Sequence, residues 1–165
     1  MIYLIGFMGV GKTTIANQLS LKLSLPYYDT DIIIEKQEKK SIRDIFQQNG
    51  EAYFRKIERI LLDQMNQKGV FACGGGSAIY KNNMDIINKK GLTIYLKAST
   101  KYLHNRLKGE NKNRPLIYNF TDLELYKYIK KELKIREPYY MKSKYCINIE
   151  KKDISQILTE INTLI

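Results

Sequence analysis

The sequence contains no tryptophan, one histidine, two cysteines and three prolines among 165 residues. Cys73 and Cys146 lie far apart in apolar, strand-like runs, with neither zinc-ligand spacing nor a Cys-x-x-Cys pair. That excludes a disulfide framework and a thiolate metal site, and the expectation is two buried, reduced thiols. The lone histidine, His104, falls mid-helix with no partner in view and receives no role. No apolar run reaches bilayer-spanning length, so no membrane partner is expected. The first strand-like run starts at residue 2, leaving no room for a signal peptide, and a cytoplasmic protein is the resulting expectation. Internal repeats, low-complexity tracts and interdomain linkers are missing as well. The chain therefore reads as one domain, 1–165, long enough to bury a core.

Acidic residues are in deficit: 17 Asp and Glu stand against 28 Lys and Arg, a formal net charge of +11. Such a balance fits a nucleic-acid binder or a pocket for anionic small molecules. It fits equally a chain that uses lysine for solubility. Lys36, Lys39, Lys40, Lys127, Lys130 and Lys131 fall on faces expected to be solvated. With no arginine-rich run and no nucleic-acid motif, no nucleic-acid partner is expected. The 44% hydrophobic and 27% charged composition places the chain among globular rather than disordered sequences.

What is present is concentrated near the start. Gly6-Phe7-Met8-Gly9-Val10-Gly11-Lys12-Thr13-Thr14 follows the apolar run Ile2-Tyr3-Leu4-Ile5 and precedes a helix-compatible stretch. This is the phosphate-binding loop pattern in its strand–loop–helix setting. Gly9, Val10, Gly11, Lys12, Thr13 and Thr14 are candidates to bind a nucleoside triphosphate, because glycines let backbone N–H groups converge on phosphate oxygens. Lys12 is placed to reach the β- and γ-phosphates, and the Thr13 hydroxyl to ligate Mg²⁺.

Further along, Pro26 breaks the first helix, and Tyr27-Tyr28 forms a short strand ending in Asp29-Thr30-Asp31. Ligands of open α/β sheets bind off the carboxyl ends of the strands, which puts both carboxylates beside the phosphate loop. Their spacing lets one turn toward Mg²⁺ and the other toward a second substrate. Asp31 can also cap the helix expected over residues 32–38. Ser41 to Asp44 resembles a capping box, Asn49-Gly50 a break, and Phe54, Ile57, Leu61 and Met65 an apolar stripe bordered by Arg55 and Glu58. Val70 to Cys73 reads as a buried parallel strand. It ends in Gly74-Gly75-Gly76, without the Mg²⁺-associated aspartate usual after such a strand in phosphate-loop enzymes. Three glycines in a row point to close backbone contact or to a flexible turn. A helix over 82–89, a strand over 92–96 and a Ser99-capped helix carrying Leu103, Arg106 and Leu107 follow. Residues 109–120 lack any period and are expected to form a mobile lid with Arg114-Pro115 at its centre. Thr121 to Glu124 opens a helix that Pro138 is expected to stop. Residues 145–149 form a fifth strand, and Ile154, Ile157, Leu158 and Ile161 share one face of a last helix. Five strands alternating with helices make a three-layer α/β/α fold around a parallel sheet.

Taken as a set, these residues resemble shikimate kinases, of the nucleoside monophosphate kinase-like group of P-loop NTPases. The similarity spans nearly the whole chain. It rests on Gly6 to Thr14, Asp29-Thr30-Asp31, Ser41 to Phe46, Phe54 to Glu58, the Gly74–Gly76 triplet, Arg114-Pro115-Leu116 and Arg136 to Tyr140. The resemblance implies strand order 2-3-1-4-5 and a shikimate-binding region over about residues 31–60. It implies ATP-dependent phosphorylation of the 3-hydroxyl of shikimate, a step in chorismate and aromatic amino-acid biosynthesis, by a monomer using Mg²⁺. Asp31 would hold the reacting hydroxyl, and Arg55 and Arg136 would clamp the shikimate carboxylate. Gly75, flanked by Gly74 and Gly76, would offer its backbone to the ring hydroxyls. Arg114 would contact the phosphates from the lid, Arg106 would lie against adenine, and Asp29 would act on Mg²⁺ through water. With Lys12, Asp31 and Arg114 form the expected catalytic set. A gluconate or nucleotide kinase shares part of this pattern; the Asp29/Asp31 pair together with the glycine triplet favours shikimate.

Overall fold

In the computed structural model, residues 1–108 and 117–165 are described. The central sheet holds five parallel strands in the order β2-β3-β1-β4-β5, as the resemblance implies. These are β1 (Ile2–Ile5), β2 (Tyr27–Asp29), β3 (Val70–Ala72), β4 (Leu92–Lys97) and β5 (Tyr145–Asn148). β1 sits at the centre, with Tyr3 opposite Phe71 of β3 and Thr93 of β4. A parallel strand covered on both faces has no solvent side, so its sequence loses the polar alternation, and β1 and β3 are buried along their whole length. The helices are α1 (Lys12–Leu23), α2 (Thr30–Glu38), α3 (Ile42–Gln64), α4 (Asn83–Lys90), α5 (Thr100–Leu107), α6 (Asp122–Tyr140) and α7 (Ile154–Asn162). α1 packs on α7 and β3, α2 and α4 pack on α3, and α5 packs on α6. Among the described residues no helix is long and apolar enough to cross a membrane.

Three local expectations are corrected. Pro138 does not stop α6, which runs on to Tyr140. A proline deprives the helix of one N–H donor, and here that loss falls in the final turn, where Met141 N–H still closes on the Glu137 carbonyl. Cys146 is exposed while Cys73 is buried; β5 is an edge strand, so one of its flanks faces solvent. His104 does have a partner: Nε2 lies 3.2 Å from Asp122 Oδ1, tying α5 to the start of α6.

The break at Gly50 is a kink within α3. Gly50 adopts φ 81° and ψ 163°, non-helical values flanked by helix on both sides. A Cβ there would meet nothing within 4 Å, so the demand for glycine is conformational, not spatial. The kink redirects the second half of α3, which carries Arg55 and Glu58. Replacing Gly50 by alanine is expected to destabilise the fold by about 1–3 kcal/mol. Denaturant unfolding checks this, and an unchanged midpoint would show that the kink relaxes without strain.

Candidate active site

The loop between β1 and α1 wraps the N-terminus of α1. Gly11 takes φ 95° at the helix N-cap and offers no side-chain cap. The positive end of the helix is thereby left without a side-chain cap, the setting in which helix N-termini bind anions. Lys12 lies back along the loop, donating to the Gly6 and Phe7 carbonyls at 2.8 and 2.9 Å. Val10 is buried, its side chain packed toward Gly6, so only its backbone is placed to serve a ligand.

Asp29, not Asp31, caps α2. Its Oδ1 accepts from the N–H groups of Asp31 and Ile32 at 3.0 and 3.4 Å. Its Oδ2 accepts from the Thr13 hydroxyl at 3.0 Å and the Tyr27 hydroxyl at 3.2 Å. Asp29 ends β2 in extended geometry, the backbone that an N-cap requires. Asp31 falls in the first helical turn instead, which frees its carboxyl to face the cleft. A cleft of about 260 Å³ is lined by Gly9, Gly11, Lys12, Thr13, Thr14, Asp29, Asp31, Gly74, Gly75 and Arg106, with Met8, Ala72 and Cys73. Arg106 is exposed, within 3.4 Å of the Tyr102 hydroxyl, and its guanidinium faces Gly11. Thr13 Oγ1 and the Asp29 carboxylate, with Asp31 beside them, make an all-oxygen donor set. That suits a hard cation such as Mg²⁺, which keeps several waters and needs one or two protein ligands beside substrate phosphates. No cluster of three or more His, Cys, Asp or Glu suited to a metal occurs among the described residues.

Behind the glycine triplet, Arg55 belongs to a network centred on Glu58, a residue that sequence reasoning left without a role. Glu58 is fully buried and accepts from Arg55 Nη1 at 2.9 Å. It also accepts from the Ser77 hydroxyl at close range. The other edge of Arg55, Nε and Nη2, reaches Glu51 at 3.2 and 3.0 Å. A buried arginine beside a buried glutamate three residues on was visible in the sequence as an i, i+3 pair. What the sequence did not show is that both turn inward. None of the triplet has positive φ, and Gly74 and Gly76 are the two at which space is short. A Cβ on Gly76 would lie 2.6 Å from Arg55 Cζ, and one on Gly74 would lie 2.7 Å from both Asp31 Oδ1 and Glu58 Oε1. Arg136 is buried on α6, forked onto Glu132 through Nε at 3.0 Å and Nη2 at 2.7 Å, with its guanidinium 5.3 Å from the Phe7 ring centre. Arg55 thus lies against Gly76 and Arg136 over Phe7 at the base of the loop, and neither is among the residues lining the cleft. Arg114 and most of the expected lid lie outside the described residues; beyond them Ile117 is buried and Phe120 N–H closes on its carbonyl at 3.2 Å.

The electrostatics single out Asp31. Burial pushes its carboxyl up to about 7, with the Glu58 and Asp29 charges adding to the rise and Lys12 and Arg55 opposing it. The sign follows from desolvation, which disfavours the charged form of an acid. Perturbed carboxyls in clefts are candidates for proton-handling roles.

A phosphate loop, a carboxylate at the strand ends and a guanidinium-flanked pocket together define a phosphate-loop kinase of the nucleoside monophosphate kinase type. The shikimate kinase family model matches residues 8–165. Shikimate kinase from Flavobacterium johnsoniae is 38% identical over 164 residues, covering 97% of this chain and 95% of that protein. The one from Sulfurihydrogenibium is 39% identical over 166 residues, covering 99% and 96%. Among solved structures, shikimate kinase from Bacteroides thetaiotaomicron matches at a TM-score of 0.88 and 33% identity, covering 99% of this chain and 94% of that one. Shikimate kinase from Acinetobacter baumannii in complex with shikimate matches at 0.88 and 30%, covering 99% and 90%. A gluconokinase from Sinorhizobium meliloti, at 0.53 and 15%, covering 96% and 87%, shares the fold alone. The chain belongs to the shikimate kinase family.

The Asp31 environment generates a direct prediction. In metal-free, nucleotide-free protein, a ¹³C carboxyl titration is expected to place the Asp31 midpoint near 7. Asp31 is then largely protonated below that pH and ionised above it. A midpoint at the ordinary value of about 4 would show that water reaches the carboxyl freely.

Proposed function

We infer that the chain transfers the γ-phosphoryl group of ATP to the 3-hydroxyl of shikimate, giving shikimate 3-phosphate and ADP for aromatic amino-acid biosynthesis. The observation that carries this reading is the placement of Asp31. The carboxyl shares one cleft with Lys12, Gly74 and Gly75, and the buried Arg55–Glu58 pair stands directly behind. Family membership supplies the acceptor; a hydroxy-acid needs both an acid to orient its hydroxyl and a cation to hold its carboxylate.

The loop amides and Lys12 hold the triphosphate, with Thr14 at the helix start and Arg106 on the nucleotide side. Thr13 and Asp29 would hold Mg²⁺, which would supply neutralisation of phosphate charge. Asp31 accepts a hydrogen bond from the attacking hydroxyl and takes its proton as the new P–O bond makes that oxygen acidic. The proton then sits on a carboxyl whose surroundings already tolerate it, because burial favours the neutral form. Gly74, Gly75 and Gly76 present main-chain groups to the ring hydroxyls, and a Cβ at Gly74 or Gly76 would crowd the Asp31, Glu58 and Arg55 side chains that shape the acceptor pocket. Arg55 and Arg136 bind the substrate carboxylate; a planar fork meets a carboxylate through two parallel bonds. Both forks rest on glutamates in this structure, Glu51 and Glu132. Glu51 is largely exposed, so substrate binding there exchanges one carboxylate for another instead of uncovering a bare charge. Arg114, from the segment about 109–120 acting as a lid, stabilises the transferring phosphoryl. The unit is a single domain, 1–165, working as a cytoplasmic monomer, and its net charge of +11 serves anionic substrates and solubility, with no nucleic-acid partner.

An ADP-release assay with ATP, Mg²⁺ and a panel of shikimate, gluconate and nucleoside monophosphates tests the reading. Turnover is expected with shikimate, and Asp31→Asn is expected to lower kcat about 10²–10⁴-fold while leaving the ATP KM near normal. Preference for another acceptor would overturn the assignment, and near-normal kcat in the variant would remove Asp31 from the mechanism.

A further inference from the structure

One buried polar group near the triplet has no part in the scheme above: the hydroxyl of Tyr140. Its side chain is fully buried. It sits at the end of α6, one helical turn after Arg136, and donates to the Gly75 carbonyl oxygen at 2.5 Å. Its ring packs against Tyr95 with centroids 5.1 Å apart at a 37° tilt, which fixes the ring plane. Burial raises its phenol far above the ordinary range, so the group stays a neutral donor. A trans peptide directs its C=O and N–H to opposite sides. Anchoring the Gly75 carbonyl on Tyr140 therefore turns the N–H of Gly76 away from α6. Neither the Gly75 nor the Gly76 N–H has an acceptor among the described residues. An unpaired main-chain donor beside a polar cleft is costly unless a ligand or water takes it up. Arg136 and Tyr140 share one helix face, so a single rigid element sets both the carboxylate fork and this peptide.

We propose that Tyr140 is a positioning residue for the acceptor substrate: its hydroxyl holds the Gly75 carbonyl and so fixes the Gly75–Gly76 peptide, whose N–H is then set to meet the substrate. The inference rests on shikimate being that acceptor. It separates Tyr140 from a residue that merely fills the core, because the phenyl ring alone would fill the same volume.

Tyr140→Phe removes the hydroxyl and keeps the ring. Steady-state kinetics should show the shikimate KM raised about five- to tenfold, the loss expected for one buried hydrogen bond. The ATP KM should stay within about twofold and the melting temperature within a few degrees. An active wild type with an unchanged shikimate KM in the Phe variant would overturn the inference alone, as would an equal rise in both KM values. A wild type inert toward shikimate would bring down the functional reading and this inference with it. Should the variant fail to fold, the wild-type protein decides: shikimate is expected to shift the Gly76 amide resonance, and an unmoved resonance would overturn the proposal.

Discussion

Glu58 is a carboxylate with no exposure to water, and the arrangement of the site depends on what it holds. Taking an unpaired carboxylate out of water costs several kcal/mol, so its oxygens must be satisfied, and both are. Oε2 takes Arg55 Nη1 and Oε1 takes the Ser77 hydroxyl. One buried charge thereby joins α3 to the turn after the glycine triplet. It leaves no room for a side chain at Gly74 or Gly76, and it contributes to holding the Asp31 carboxyl near neutrality. Truncating such a pair is far more damaging than never having built it, because the survivor stays buried without a partner.

Around this anchor, the two halves of the cleft use opposite electrostatics. The loop side is backbone-rich and positive: the N-terminal end of α1, which no side chain caps, then Lys12 and Arg106. The acceptor side is a set of side-chain ion pairs, Arg55 with Glu51 and Glu58, and Arg136 with Glu132. On the proposed function, phosphates would meet amides and a flexible point charge, while a carboxylate would meet planar forks already held on glutamates. Asp31 lies at the seam. The Arg136–Tyr140 turn of α6 reaches the same seam from the far side, through Gly75.

Much of this was legible in the chain itself. The phosphate loop declares itself because its spacing reflects main-chain geometry, which few other residue patterns satisfy. β1 and β3 stand out because strands buried on both faces lose alternation. Gly50 was readable as a break, and Thr121 with Glu124 as a capping box, which the structure completes reciprocally. Several failures come where a side chain takes a partner that the local pattern does not name. Ser41 and Asp44 carry the box pattern, yet the Asp44 carboxylate takes the Ser41 hydroxyl at 2.6 Å in place of its backbone N–H. Asp31 was the candidate to cap α2, yet Asp29, held by the Thr13 and Tyr27 hydroxyls, takes that place. Glu58 looked like a border residue of an amphipathic helix, since its helix alone cannot reveal that Ser77 and Gly74 lie against it. Tyr140 read as the end of a motif, because its partner lies 65 residues earlier.

The most direct measurement is shikimate affinity, by calorimetry without nucleotide, in Glu58→Gln beside the wild type. The substitution keeps shape and one hydrogen-bond acceptor but removes the charge that grips Arg55. Shikimate affinity is expected to fall at least about tenfold, since charge-assisted buried bonds are worth roughly 1.5–3 kcal/mol, while ATP affinity holds. Undiminished shikimate binding in a folded variant would contradict the central place given to this buried carboxylate.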